Sequence, residues 1–384
     1  MKRLKKALKI IGILLAVIVA LLYIFDYDYI IKGVRVVYLT GHKTAYIDDT
    51  PHFDTHVIEK GIAQDWENHS SYNKVNPTQK LTETNTKLGT VAFLIIKNNK
   101  IWHENYAEGY SKQSETNSFS MAKSITTALL FKAIDDGYIE SIDTPVTTFL
   151  PQIGGEYASK LTVGDLSSMA SGLNWVESYS SPFSLTARAN YDDSIRETML
   201  GLQVIEEPGK SYKYLSGATQ LLGMVIEKAT KKSLSNYLSE SFWKPMGMNK
   251  NALWQLDSEK SGMEKAFCCI ASNARDFAKF GRLWSQNGNW NGTQLIPEHL
   301  AKLAQEPRFN TSPQYGHGLW LENYKGKKIS YMRGILGQYV ISVPEDNIII
   351  VRLGHSRGKK HKDSVHSEDF YTYIDEAYKM LKSN

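Results

Sequence analysis

Cysteine is almost absent from the sequence: its 384 residues include only Cys268 and Cys269, which are adjacent. Neighbouring cysteines rarely reach ordinary disulfide geometry, so we expect no disulfide between them and no disulfide framework. Without a second pair of cysteines, a structural zinc site is not expected either. Hydrophobic residues make up 42% of the chain, enough for one large domain or two modest ones with a real core.

Several functional signatures are also missing. A net charge of +5 from 45 basic and 40 acidic residues is mild, and no basic stripe with interleaved aromatic residues is present, which argues against a nucleic-acid partner. No G-x-S-x-G or H-E-x-x-H motif occurs, so neither a Ser-His-Asp elbow nor that zinc site is expected. No metal or organic cofactor is expected, and the sequence leaves the oligomeric state open.

The chain opens with a cationic segment followed by an uninterrupted apolar run from Ile10 to Phe25. Because the run ends in bulky residues rather than in an A-x-A-like pattern, we expect an uncleaved membrane anchor over residues 1–25; a cleaved signal peptide is the alternative. Basic residues before the run keep the N-terminus in the cytoplasm. Both interpretations place the body of the chain outside the cytoplasm, in the cell envelope.

The rest of the chain divides into two parts. Residues 26–87 show no clear period and are predicted to be a juxtamembrane segment packed on the main domain, residues 88–384. The domain begins with a β-hairpin around Asn98-Asn99 and ends with β-rich runs on either side of "PEDN" and an amphipathic helix, while residues 142–303 are mainly helical. The sequence therefore predicts an α+β fold, an antiparallel sheet flanked by helices with a mainly helical subdomain.

A serine and a lysine stand three residues apart at the start of an apolar helical pattern, Ser120 and Lys123. Residues at this spacing share a helix face, so a desolvated lysine could activate the serine hydroxyl. The alternative is a serine without a catalytic role in the first turn of a helix. Only this S-x-x-K leads from a β-hairpin into a long apolar helix; three other copies begin at Ser71, Ser241 and Ser356.

A tyrosine provides the third candidate group. Tyr214 follows the Pro208-Gly209 turn and directly precedes a helical pattern, so it is expected at a loop edge. A phenol whose pKa is lowered by a neighbouring ammonium group can serve as a general base. The alternative is a tyrosine that packs its ring in the core.

Together, "SMAK" at 120–123, "YLSG" at 214–217 and the late "GILGQYVISVPEDN" carry a family resemblance. The sequence resembles the serine β-lactamase and penicillin-binding-protein superfamily, and especially its class C-like esterases and 6-aminohexanoate-dimer hydrolases. The resemblance extends from about Val91 to the closing helix. It implies a β-lactamase/transpeptidase-like fold and a serine hydrolase that cleaves a small amide or ester through an acyl-enzyme.

The resemblance also implies roles for individual residues. Ser120 is the acylated nucleophile, Lys123 its proton acceptor and Tyr214 the base of a Y-x-N element. Ser216 occupies the position where many relatives have asparagine. The backbone N–H groups of Ser120 and Gln338 are implied to form the oxyanion hole.

Substrate contacts follow from the same resemblance. The run from Ile335 to Gly337 takes the place of the family's K-T-G or H-x-G triplet but lacks its cation, which argues against β-lactams and carboxylate-tailed peptides as preferred substrates. Tyr179, in a loop that folds over the pocket in relatives, is a candidate substrate contact, and Asn273 is a candidate for polar pocket lining. Two alternatives remain: a penicillin-binding or β-lactamase-type enzyme, and an inactive envelope-binding module of the same fold.

Overall fold

The computed structural model describes residues 1–383 and contains two main antiparallel sheets. The larger sheet has six strands in the order β3-β2-β12-β11-β10-β9, and the smaller has four in the order β1-β5-β6-β4. The strands are β1 (Thr55–Ile58), β2 (Thr90–Lys97), β3 (Lys100–Tyr106), β4 (Thr116–Asn117), β5 (Ala252–Gln255), β6 (Ile270–Ser272), β7 (Asn289–Trp290), β8 (Thr293–Gln294), β9 (Trp320–Tyr324), β10 (Lys327–Arg333), β11 (Tyr339–Val343) and β12 (Ile348–Gly354).

Helices cover the sheets and fill the middle of the chain. The α-helices are α1 (Lys2–Ile24), α2 (Tyr29–Gly33), α3 (Gln79–Leu88), α4 (Ala122–Asp135), α5 (Val163–Ser167), α6 (Leu185–Tyr191), α7 (Ile195–Leu200), α8 (Ser216–Thr230), α9 (Leu234–Leu238), α10 (Ala274–Ser285), α11 (Glu298–Ala304) and α12 (Glu368–Lys382). Short π and 3-10 turns separate several of them. This arrangement confirms the predicted α+β class.

The two predicted hairpins meet in the larger sheet. Strands β2 and β3 are joined by Asn98 and Asn99, both with positive φ (49° and 59°), a conformation that suits tight hairpin turns. Strands β11 and β12 are joined through the 3-10 turn Pro344–Asp346. Because β12 also pairs with β2, the two ends of the main domain close on each other.

Helices pack on both faces of this sheet, which is why β2 and β12 are almost entirely buried. Helix α10 lies against β11 and β12, and Gly281 allows the close approach: a Cβ there would lie only 2.6 Å from a methyl of Val340. Helix α12 packs on β12 and on α3. The continuous apolar strands therefore form the centre of a layered core.

Helix α4 runs through this core rather than along its surface. Residues 122–131 are all buried, so the helix is enclosed on every side instead of presenting one apolar face. Helix α8 packs directly beside it, and α5 packs on α8. The predicted helix after Ser120 is confirmed. It is buried on all sides, whereas its sequence pattern indicated one buried face.

The segment 26–87 packs against the main domain and contributes a strand to it. Its strand β1 pairs with β5 and completes the smaller sheet, while α2 packs against α6. None of the side chains of α1 is buried in the protein, and α1 is the one helix among residues 1–383 that is long and apolar enough to cross a membrane. A signal sequence has the same length and composition.

Candidate active site

A short 3-10 turn, Phe119–Met121, carries Ser120 to the start of α4. Phe119 has a left-handed φ of 45°, and its N–H donates to the Asn117 side chain at 2.8 Å. The Ser118 hydroxyl accepts from the N–H of Ile270 at 3.0 Å and so fixes the same turn to β6. A positive φ at a bulky residue is costly, so these bonds hold Ser120 in a conformation that the isolated segment would rarely adopt.

Lys123 lies beneath the serine, on the next turn and fully buried. Its Nζ lies 3.3 Å from the Ser120 Oγ, 3.2 Å from the Ser216 Oγ and 2.9 Å from the carbonyl oxygen of Phe267. Burial lowers the pKa of the Lys123 amine to about 8, although the negative charge of Glu177 opposes this. A neutral amine has two N–H donors and one lone pair, which these three partners can satisfy when the serine hydroxyl donates.

Tyr214 approaches the same group from the stretch that precedes α8. Lys123 Nζ lies 5.3 Å from the centre of its ring, whose other neighbours are the rings of Tyr315 and Trp320. Burial raises the pKa of the Tyr214 phenol to about 12, while a hydrogen bond with Ser120 and the charge of Arg333 oppose the rise. The expectation of a lowered phenol pKa is therefore wrong, because burial outweighs the neighbouring charges. The structure thus brings together the hydroxyl, the amine and the phenol that the sequence singled out.

Glu177 was not identified from the sequence, yet it organises one side of the site. Its carboxylate accepts hydrogen bonds from the backbone N–H and the hydroxyl of Ser216, both at 2.7 Å, from the indole of Trp175 at 2.8 Å and from the hydroxyl of Tyr179 at 2.6 Å. Since Ser216 also contacts Lys123, a chain of hydrogen bonds connects the nucleophile to Glu177. The only sequence signal was its place two residues before Tyr179.

The turn between β10 and β11 packs against the nucleophile. A Cβ on Gly334 would lie 2.6 Å from the carbonyl oxygen of Ser118, so the two backbones touch. Ile335 lines the cavity at Ser120, while Gln338 is fully buried behind it and its side chain donates to the carbonyl oxygen of Gly354 at 2.8 Å. The backbone N–H of Gln338 stays a predicted oxyanion donor.

Two predicted substrate contacts lie elsewhere. Asn273 is buried and caps α10: its Oδ1 accepts from the N–H of Asp276 at 2.9 Å and its Nδ2 donates to the same side chain. Gly337 has a φ of 82° and faces the guanidinium group of Arg352, 2.8 Å from the position of a Cβ. Neither residue lines the cavity at Ser120, so these two predictions are corrected: both residues hold the backbone in place.

A cation does approach the site from the late strands. The run 335–337 carries none, as its sequence requires, but Arg333 at the end of β10 stacks 3.9 Å from the ring of Trp320. Its charge lowers the pKa of the Tyr214 phenol against the effect of burial. Arg333 was not predicted, because it lies just before the triplet that carries the family's cation.

The cavity that opens onto Ser120 has a volume of about 380 Å³. Ser216, Tyr179 and Ile335 line it, as predicted for substrate contacts. Residues from the N-terminal segment, including Tyr29 and Val37, form much of the opposite wall. A larger cavity of about 1000 Å³ lies between α11 and the loop before α12, away from this cluster.

The two cysteines form part of the same wall, and here the sequence prediction is wrong. Cys268 and Cys269 are joined by a disulfide bond. Cys269 has a left-handed φ of 75°, a backbone conformation that non-glycine residues rarely adopt. The carbonyl that Lys123 contacts belongs to the preceding residue, Phe267. No group of three or more metal-ligating side chains was found among residues 1–383.

Comparisons with known proteins identify relatives of the chain. The chain is 24% identical over 297 residues to a 6-aminohexanoate-dimer hydrolase of Paenarthrobacter ureafaciens, covering 72% of this chain and 74% of that one. It is 25% identical over 176 residues to the protein flp of Staphylococcus aureus, covering 43% and 34% of the two chains.

Among solved structures, a Bacillus anthracis protein described as a 6-aminohexanoate-dimer hydrolase aligns with a TM-score of 0.74 at 20% identity, covering 88% of this chain and 92% of that one. A D-amino acid amidase of Ochrobactrum anthropi aligns with a TM-score of 0.58 at 16% identity, covering 78% and 96%. These structures share the fold. The profile of the beta-lactamase family matches residues 77–368, and the chain therefore belongs to the beta-lactamase family.

Proposed function

We propose that the protein is a serine hydrolase that cleaves an amide or ester bond through an acyl-enzyme on Ser120. The observation that carries this proposal is the buried amine of Lys123, 3.3 Å from the Ser120 Oγ and with its pKa lowered to about 8. A free serine hydroxyl is a weak nucleophile and needs such a base. Membership of the beta-lactamase family and relatives named as hydrolases and amidases support the proposal.

In the acylation step, the Ser120 Oγ attacks the carbonyl carbon while its proton passes to the neutral amine of Lys123. Tyr214, whose phenol is protonated, acts only as a relay that accepts one proton as it donates its own. A C–O bond forms and the carbonyl oxygen becomes an anion. The backbone N–H groups of Ser120 and Gln338 are the proposed donors to this oxyanion, and two such donors stabilise it strongly in a site that excludes water. Collapse of the intermediate breaks the bond to the leaving alcohol or amine, which takes up the proton.

In the deacylation step, water attacks the acyl group on Ser120. The Lys123 amine accepts the proton of the water and returns it to Ser120, with Tyr214 as the relay, and the acid product leaves. Ser216 and Glu177 position Lys123 for both steps, because their hydrogen-bonded chain ends at its Nζ. Glu177 contacts no reacting atom and is a positioning residue in this scheme.

Labelling with a fluorophosphonate probe tests the nucleophile. The full chain in detergent micelles is expected to label and to hydrolyse p-nitrophenyl acetate, and Ser120→Ala is expected to lose both. Ser241→Ala is the matched control, since Ser241 begins another S-x-x-K motif outside the cavity, and it should keep both. A wild-type chain that neither labels nor hydrolyses the ester would indicate the inactive binding module instead.

A second assay separates the substrate classes. Hydrolysis of nitrophenyl esters with no turnover of nitrocefin is expected, because the run 335–337 lacks the cation that binds a β-lactam carboxylate in relatives. Turnover of nitrocefin that matches or exceeds ester hydrolysis would contradict this preference. It would assign the protein to the penicillin-binding or β-lactamase-type enzymes.

A further inference from the structure

The N-terminal segment that directly follows α1 builds one wall of the cavity at Ser120. Four residues lie between the end of α1, Ile24, and the first wall residue, Tyr29, so the two are at most about 18 Å apart even in an extended chain. The apolar wall, as we name it, consists of Tyr29, Ile30, Gly33, Val34, Val37 and Tyr38.

The apolar wall is fastened to the domain. The Tyr29 hydroxyl donates to the carbonyl oxygen of Pro182 at 3.0 Å, and the guanidinium group of Arg188 lies 4.7 Å from the Tyr29 ring. Lys32 forms an ion pair with Asp193 at 2.6 Å and donates to the carbonyl oxygen of Asp257 at 2.7 Å. These contacts come from both flanks of the cavity, so the wall is part of the folded site.

The side of the site nearest α1 is apolar and exposed. Phe25, Tyr38, Leu39 and Phe183 are 64%, 63%, 77% and 61% exposed, and the Phe183 ring packs edge-on against Tyr27 at 5.2 Å. Phe25 lies two residues before Tyr27, and Tyr38 and Leu39 are adjacent in the chain, so large exposed apolar side chains are concentrated in this short segment. Concentrations of this kind often mark interaction sites. Next to a helix able to span a membrane, they have the character of an interfacial belt.

We propose that the cavity binds an amide or ester with one long apolar chain, which lies along the apolar wall and enters from the membrane surface beside α1. This inference rests on the proposed function and names its substrate class. A volume of about 380 Å³ is at the lower end for ligand cavities, about 300–1000 Å³, and suits a single chain. In the reaction, water adds OH to the acyl carbon and H to the released alcohol or amine.

The inference is tested by chain-length selectivity, with the full chain reconstituted in phosphatidylcholine vesicles. The wild type should hydrolyse p-nitrophenyl laurate with a higher kcat/KM than p-nitrophenyl acetate. Val34→Trp fills the cavity beside the wall, and its laurate-to-acetate ratio should fall at least about tenfold, since each methylene removed from an apolar contact weakens binding about fourfold. Val57→Trp is the matched control, because Val57 is similarly exposed (46% against 40%) but lies on β1 outside the cavity.

If the tryptophan disturbs folding, Val34→Ser is a second variant. Its laurate-to-acetate ratio of kcat/KM should fall several-fold. To test the membrane route, the laurate ester is supplied either in the vesicles that hold the protein or in separate vesicles, and the first arrangement should give the faster initial rate. Equal initial rates, or a ratio unchanged in both Val34 variants, would overturn the inference while Ser120-dependent acetate hydrolysis persists. Loss of all Ser120-dependent hydrolysis would overturn the proposed function and this inference with it.

Discussion

Replacing Lys123 by methionine should abolish hydrolysis and at the same time stabilise the protein at neutral pH. The amine is fully buried, and its pKa is lowered from 10.5 to about 8 by desolvation. Each pKa unit corresponds to about 1.4 kcal/mol, so the buried ammonium lowers the free energy of unfolding by about 3 kcal/mol below pH 8. Methionine has a similar length and no charge to desolvate.

The sign of the pH dependence follows from proton linkage. Between pH 8 and 10.5 the unfolded chain binds more protons at this lysine than the folded chain, so wild-type stability rises with pH through that window. Methionine forfeits the hydrogen bonds to Ser216 and Phe267, about 1 kcal/mol each. We therefore expect Lys123→Met to gain about 1 kcal/mol near neutral pH and to lose this advantage as the pH approaches 10.5.

Thermal and guanidinium unfolding of the full chain in detergent micelles measures this difference over the pH range. Lys132→Met, on the same helix, is the control of opposite sign: ion pairs with Asp135 and Asp136 accompany a raised pKa of Lys132, so this variant should lose a little stability. The reasoning is refuted if Lys123→Met is no more stable than wild type at pH 7, or if the difference between the two does not change with pH.

Two further substitutions probe the surroundings of the nucleophile. Glu177→Gln removes the charge that raises the Lys123 pKa, so the midpoint of the pH–rate profile for p-nitrophenyl acetate should move below about 8. An upward shift of this midpoint would show that the charge of Glu177 does not raise the Lys123 pKa. Gly334→Ala places a methyl group 2.6 Å from the Ser118 carbonyl oxygen and should cost about 1–3 kcal/mol of stability. Its kcat should fall at least about tenfold, and wild-type kcat would exclude a role for this turn in the oxyanion hole.

Local patterns were sufficient to predict the elements that carry the chemistry. The hairpin at Asn98-Asn99 and the helix that begins after Ser120 depend on short-range turn and periodicity signals, which the structure follows. The position of Tyr214 directly before α8 follows in the same way. Convergence of the serine, the lysine and the tyrosine was a prediction from resemblance, because nothing local in the sequence places α8 beside α4.

The errors have identifiable physical causes. Asn273 was read as pocket lining, although an acidic residue three positions later, Asp276, is a helix-capping pattern that the structure confirms. The disulfide between Cys268 and Cys269 was missed because the general geometric rule does not anticipate a left-handed residue within the pair. The place of the apolar wall could not be predicted at all, since Lys32, within the same segment, contacts Asp193 and Asp257, which lie more than 160 residues away along the chain.

The two sides of the cavity differ in how they depend on the family fold. Ser120, Lys123 and Tyr214 all lie within residues 77–368, which match the beta-lactamase family, and the burial that lowers the Lys123 pKa comes from the packed core of that region. The apolar wall lies wholly before residue 77. The chemistry is therefore expected to depend on the matched region, and the proposed substrate choice on the apolar wall that precedes it. For this reason substitutions at Ser120 should abolish all hydrolysis, while those at Val34 should change only which ester is preferred.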